Sequence, residues 1–254
     1  MRASVTFVPG FMQRGEAWQP AASRLAERYT SACLDFSTWT FDERVAEILA
    51  AAAPGAALVG YSMGGRLALH AALREPAPLG ALVLVGVSAG IEDPGERAER
   101  RREDESLAEW MERRAIEDVV ARWEAIPPLR TQSPELRERQ RPGRLSHDPQ
   151  LLAKLLRSAG QGALTPVWDR LGELRCPVLL TAGEHDARYR AAARRMAEAI
   201  PDARIALVRD AGHAPQLEAP DEFAALLLDF LDEHLGEGVG IDGDPEPRSL
   251  RHRQ

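Results

Sequence analysis

Short, wholly apolar runs recur along the chain, and between them apolar positions follow the three-and-four spacing of amphipathic helices. Val5-Thr6-Phe7-Val8 reads as a strand that stops at Pro9-Gly10. Residues 56–61, 81–87, 177–181 and 204–208 read as further strands, each closed by a turn or a helix start. The helical rhythm falls on residues 18–29, 41–53, 64–74, 189–200 and 221–234. Leu82-Val83-Leu84-Val85 is apolar at every position, the pattern of a strand covered on both faces. Strands alternating with helices predict an α/β fold with a mostly parallel, doubly wound sheet.

The alternation breaks between Ile91 and Trp168. That stretch is charged and poor in strands, with helical patterns at 96–114, 116–125 and 150–158. It is too long for a crossover and too regular for a loop, so it reads as an inserted helical cap. The expected organisation is a core in two parts, 1–90 and 169–235, with the cap at 91–168 between them. From Gly236 to the end the chain loses apolar periodicity and reads as a disordered tail, residues 236–254. No internal repeat is visible.

Composition narrows the class. The chain has 254 residues, 44% hydrophobic and 28% charged, which excludes a disordered or fibrous protein and is enough for a substantial core. No apolar run approaches the roughly 20 residues that span a bilayer. Residues 1–10 lack the features of a signal peptide, so a cytoplasmic enzyme is expected. Cys33 and Cys176 lie far apart, without metal-ligand spacing, and read as two reduced thiols. A net charge of −7 argues against nucleic acid or a membrane surface as partner. Within that charge lies a skew: of 32 basic residues only Lys154 is lysine. Arginine's planar fork grips carboxylates in a way lysine's point charge does not, so a subset converging on a site is worth seeking.

Gly60-Tyr61-Ser62-Met63-Gly64 fits G-x-S-x-G, with an apolar strand before it and a helix after it, as a nucleophile elbow requires. A serine hydroxyl needs a base to take its proton, and the base needs an orienting carboxylate. Asp186 and His213 each follow a predicted strand, in the order serine, acid, histidine expected for this architecture. Of the six histidines, His70, His147, His185, His234 and His252 fall at less suitable positions, and Glu184 is the rival acid. Two backbone N–H groups, of Phe11 and Met63, are the expected oxyanion hole.

With these residues in place, the sequence resembles the α/β-hydrolase superfamily over residues 1 to about 235. The elbow, Gly60 through Leu69 with Arg66 one helical turn after Ser62, is similar to that of the menaquinone-pathway 2-succinyl-6-hydroxy-2,4-cyclohexadiene-1-carboxylate synthases. The segments 96–104, Trp123-Glu124-Ala125-Ile126-Pro127, and Trp168-Asp169-Arg170-Leu171 followed by Cys176-Pro177-Val178-Leu179-Leu180 resemble the same family. The resemblance implies that Arg66, Arg100 and Arg144 bind substrate carboxylates and that Trp123 packs against the substrate. It also implies elimination of pyruvate from 2-succinyl-5-enolpyruvyl-6-hydroxy-3-cyclohexene-1-carboxylate, with Ser62 acting as a base activated by His213. No cofactor or metal is implied; the partner is a small polycarboxylate, and the protein a monomer or small homo-oligomer.

Three features depart from the family pattern. Pro9-Gly10-Phe11 stands where the family has His-Gly-Phe, and Asp35-Phe36-Ser37-Thr38-Trp39 leads into a shorter, glycine-free segment. Both are expected to line the entrance. The chain also opens at the first strand of the motif-bearing core, so the usual N-terminal hairpin is expected to be missing. Two other activities share the residue pattern. One is a serine hydrolase acting on a carboxylate-bearing ester, thioester or carbon–carbon bond; the other is a binding protein that keeps the fold without using the triad.

Overall fold

The computed structural model describes residues 2–74 and 79–236. Among these residues six strands form one sheet: β1 (Ser4–Val8), β2 (Thr30–Cys33), β3 (Ala57–Tyr61), β4 (Ala81–Val85), β5 (Val178–Gly183) and β6 (Ala203–Val208). Their order is β2-β1-β3-β4-β5-β6, and every pairing is parallel. Side chains alternate between two cores, as period-two strands in a doubly covered sheet must. Val5, Phe7, Val59, Val83 and Leu179 face α1 (Gln19–Leu25) and the helix of residues Pro220–Leu235. Val8, Leu58, Leu82, Leu84 and Leu180 face α2 (Phe41–Ala51), α3 (Met63–Arg74) and the helix of residues Ala187–Ala199. Trp18 seals the first core, its ring 5.0 Å from Phe7 and 6.1 Å from Phe223.

Between β4 and β5 the chain makes four helices: α4 (Pro94–Met111), α5 (Ile116–Glu124), α6 (Pro134–Leu145) and α7 (Pro149–Ala159). α4 packs on α7, and α5 on α6. The two ends of this excursion are pinned side by side. The Val167 N–H donates to the Ala89 carbonyl at 2.8 Å, and Trp168 Nε1 donates to the Gly90 carbonyl at 2.9 Å. After β5 come α8 (Ala187–Ala199), β6, the short α9 (Pro215–Glu218) and α10 (Pro220–Leu235).

Three elements were not expected from the pattern. β2 follows directly after the stretch predicted as a helix over 18–29, which itself ends four residues early. α1 stops at Leu25, the Tyr29 N–H closes back on the Leu25 carbonyl, and Tyr29 Oη donates to Asp232 Oδ1 at 2.7 Å. The small residues of β2, alternately exposed on a sheet edge, carry no hydrophobic signature. α6 is missed because only Leu136 and Leu145 are apolar and Pro142 lies inside it. That proline falls in the last turn, and the Ser133 hydroxyl supplies the N-cap by accepting the Leu136 N–H at 3.2 Å. α9 is a single turn. The tail expected over 236–254 lies, apart from Gly236, outside the described residues.

Candidate active site

The elbow is built by what its glycines leave out. A Cβ on Gly64 would stand 2.2 Å from the Pro9 carbonyl oxygen, and one on Gly60 would stand 2.6 Å from Gly65 Cα. The β3–α3 turn therefore closes against β1 only with glycine at these places. It leaves Ser62 at φ 51, a left-handed conformation that costs a non-glycine residue about 1–3 kcal/mol and is held by its surroundings. The Ser62 N–H donates to the Val85 carbonyl at 2.8 Å, and its carbonyl accepts the Arg66 N–H at 3.0 Å.

Asp186 and His213 come from the loops after β5 and β6. His213 Nε2 lies 3.0 Å from Ser62 Oγ, and Nδ1 lies 2.7 Å from Asp186 Oδ2. The other Asp186 oxygen caps α8 by accepting the Tyr189 N–H at 3.4 Å. Glu184 faces away and accepts the Asp210 N–H at 3.3 Å. His70 packs edge-on against Phe41, His147 against Trp39 and His234 against Phe230, all away from the serine. The N–H groups of Phe11 and Met63 make no hydrogen bond among the described residues and are free for an oxyanion.

These groups open into a cavity of about 470 Å³ between the strand ends and α4–α7. All nine positions singled out from the sequence line it: Phe11, Ser62, Met63, Arg66, Arg100, Trp123, Arg144, Asp186 and His213. The three arginines differ in their pairing. Arg144, 3% exposed, donates to Glu124 Oε1 at 3.0 Å and Gln132 Oε1 at 3.1 Å. Arg100 Nε donates to Asp104 Oδ1 at 2.9 Å. Arg66, 7% exposed, makes one long bond, Nη2 to the Ala159 carbonyl at 3.3 Å, and its Nε has no partner. Burial pushes the pKa of the Arg66 guanidinium down; Tyr189 and Asp104 act against it. Burial also lowers the pKa of Arg144, opposed by Glu124. Trp123 meets Phe11 edge to face at 5.2 Å.

Of the two loop departures, the first reaches the cavity through Phe11. Gly10 is required there, because a Cβ would lie 2.8 Å from Tyr61 Cδ1. Residues 35–39, expected at the entrance, do not line the cavity. They are drawn onto α2 instead: Arg44 Nε donates to the Thr38 carbonyl at 2.9 Å, and its guanidinium lies 4.4 Å from the Phe36 ring centroid.

Several site residues escaped the sequence reading. Tyr61 and Tyr189 flank the His213 ring at 5.3 and 4.7 Å between centroids. Burial pushes the pKa of the Tyr61 hydroxyl up. Gly86, at φ +62, leaves room for the imidazole, whose Cε1 would lie 3.0 Å from a Cβ there. The Glu218 carboxylate accepts the N–H of Gly212 and of Ala214, each at 2.9 Å, so it grips the peptide on both sides of His213. Gln132 and Gln161 sit in irregular segments without any pattern to mark them, whereas Glu218, five residues after the histidine, was open to notice. Among the described residues no group of three or more histidine, cysteine or acidic side chains is placed to hold a metal ion, and no helix is long and apolar enough to cross a membrane.

A parallel sheet with a serine elbow, an acid and a histidine at its strand ends defines a class, and the chain belongs to the alpha/beta hydrolase family, which it matches over residues 7–226. Within it, a Bacillus subtilis (strain 168) protein provisionally named 2-succinyl-6-hydroxy-2,4-cyclohexadiene-1-carboxylate synthase is 38% identical over 177 residues, 68% of this chain and 65% of that protein. A Salmonella heidelberg (strain SL476) protein carrying the same synthase name is 31% identical over 163 residues, 64% of this chain and 63% of that protein. The matched region thus spans a little under two thirds of these relatives. The solved structure of MenH from S. aureus superimposes with a TM-score of 0.85 at 30% identity, covering 91% of this chain and 94% of that one.

Proposed function

We propose that this protein eliminates pyruvate from 2-succinyl-5-enolpyruvyl-6-hydroxy-3-cyclohexene-1-carboxylate, giving 2-succinyl-6-hydroxy-2,4-cyclohexadiene-1-carboxylate in menaquinone biosynthesis. The observation that carries the reading is Arg66: a buried guanidinium with unused donors and no carboxylate partner, in the same cavity as an assembled Ser62–His213–Asp186 array. A buried cation without a counter-ion is costly in an empty site and useful in one that receives an acid. The named synthases among its relatives point to the same substrate.

In this reading His213 takes the Ser62 proton, and Ser62 Oγ removes the ring proton next to the succinyl carbonyl. The electron pair moves into the ring, the existing double bond shifts, and the carbon–oxygen bond to the enolpyruvyl group breaks. Enolpyruvate leaves and becomes pyruvate on protonation. Charge developing on the succinyl carbonyl oxygen meets the Phe11 and Met63 N–H groups. Asp186 holds His213 in the tautomer that accepts from serine. Arg66, Arg100 and Arg144 bind carboxylates, Trp123 packs on the ring, and helices α4–α7 act as a cap over the site. We place the enzyme in the cytoplasm, working as a monomer or small homo-oligomer on a small polycarboxylate.

Pyruvate release from the enolpyruvyl substrate, followed with lactate dehydrogenase, tests this. Ser62→Ala and Arg66→Ala are each expected to lose about a hundredfold or more in kcat/KM, in line with the loss of a key group in a preorganised site. No pyruvate above the enzyme-free control would overturn it. The free oxyanion donors also suit acyl transfer, so a burst of p-nitrophenol from an acidic ester, in a protein inert on the enolpyruvyl substrate, would assign it as a hydrolase instead.

A further inference from the structure

Positive charge at one end of the cavity exceeds what the surrounding protein neutralises. Arg100 is matched by Asp104 and Arg144 by Glu124. Arg66 and Arg188, both lining the cavity, have no carboxylate partner among the described residues. Arg188 is exposed on the first turn of α8, two residues past Asp186. Its Nη2 donates to Gln161 Oε1 at 3.3 Å, and the same oxygen accepts Arg100 Nη1 at 3.4 Å. Gln161 is 6% exposed, and its Nε2 donates to Tyr189 Oη at 2.8 Å, so the amide is fixed with its oxygen towards both guanidinium groups. A neutral oxygen orients two cations but cancels neither. Arg100 and Arg188 both act to lower the proton affinity of the buried Arg66. Buried Arg66 is left without a negative charge that a ligand's carboxylate would supply, and the exposed Arg188 adds to the same positive field.

We propose that Arg188, held over the cavity mouth by Gln161, binds one carboxylate of the substrate while Arg66 binds another below it, so that the site selects molecules with at least two carboxylates. This rests on the reading that the cavity takes an acidic substrate, and it adds a second anchor that comes from α8 rather than from α3 or the helices between β4 and β5. It also assigns Gln161 as the positioning residue that turns a surface arginine inwards.

Calorimetric titration of the 254-residue chain with 1,2,3-propanetricarboxylate, and with its uncharged trimethyl ester, tests the proposal. Arg188→Gln is expected to weaken tricarboxylate binding about tenfold, the worth of one charge-assisted contact. The ester should bind no better to the wild type than to the variant. Arg102→Gln, which removes the same charge from an exposed position on α4, is expected to change affinity less than about twofold under the same screening. In pyruvate release, Arg188→Gln should raise KM by a similar factor, and Arg188→Lys should recover part of the loss. Equal effects of the Arg188 and Arg102 substitutions, or no tricarboxylate binding by the wild type, would overturn the proposal. Arg188-dependent binding in a protein that releases no pyruvate would leave this assignment standing and remove the synthase reading. Pyruvate release with KM and tricarboxylate affinity unchanged in Arg188→Gln would do the reverse.

Discussion

Glu218 offers a sharp test of how the histidine is held. Its carboxylate accepts two peptide N–H groups at 2.9 Å, those of Gly212 and Ala214, and it does not line the cavity. Hydrogen bonds to a charged acceptor contribute about 1.5–3 kcal/mol each, so the pair sets an upper bound near 6 kcal/mol. Glu218 is half-buried, and screening reduces this to about 2–4 kcal/mol. Glu218→Gln keeps the side chain's size and one acceptor oxygen but turns an NH2 group towards the second peptide N–H. A loss of about 1–3 kcal/mol in stability follows from one bond and the charge. The consequence for the reaction is larger than for the fold. His213 bridges Ser62 at 3.0 Å and Asp186 at 2.7 Å, and a displacement of about 1 Å in such an array costs roughly a hundredfold. Pyruvate release should therefore show kcat down about ten- to a hundredfold with KM within about threefold, because no substrate contact is removed. A purely structural role would lower the melting temperature and leave kcat per folded molecule unchanged. A Glu218→Gln enzyme with kcat within twofold of wild type would refute the positioning argument.

Two further outcomes follow from the packing. His147 is buried with neither ring nitrogen bonded, Arg14 and Arg44 lie close enough to disfavour a further charge, and Asp35 only partly offsets them; burial is the largest cause of a pKa pushed down to about 4. Its unfolded value is higher, so the unfolded chain takes the proton first: stability is full above about pH 6.5 and falls as pH drops towards 4. Between pH 6.5 and 5 the loss from this one group is about 2 kcal/mol, and denaturant melts of His147→Phe should show a correspondingly flatter pH dependence; identical slopes would refute it. Gly64→Ala would put a methyl group 2.2 Å from the Pro9 oxygen, a backbone atom that cannot step aside, so the elbow must shift. Activity should fall below detection in any folded fraction, with a stability loss of about 3 kcal/mol or more by thermal melt; a normally active Gly64→Ala protein would contradict the described turn.

What could be read from the sequence is what steric or hydrophobic necessity writes into residue type. β3 and β4 are apolar throughout because both of their faces are covered, and Gly64 is glycine because the Pro9 carbonyl occupies the place of its side chain. β2 could not be read, since an edge strand of four small residues needs no apolar signature. α6 was equally silent, although it carries Arg144, because its turns are polar and its proline sits where the helix is already ending. The arginines show the limit most clearly. Arg24 meets Asp221 and Arg204 meets Asp229 on the surface, while Arg66 and Arg188 meet no carboxylate among the described residues. Arg66 stands out in the sequence by its place one turn after Ser62, but Arg24, Arg188 and Arg204 look alike there, since Arg24 and its partner stand 197 residues apart. What separates Arg188 from the surface arginines is its place at the cavity without a carboxylate partner, which the fold alone can bring or withhold. A net charge of −7 is therefore compatible with a cationic cavity. The negative sum is spread over solvated helices, where each charge is screened within about 8–10 Å, and the balance that a ligand feels is set by the few groups sharing its enclosure.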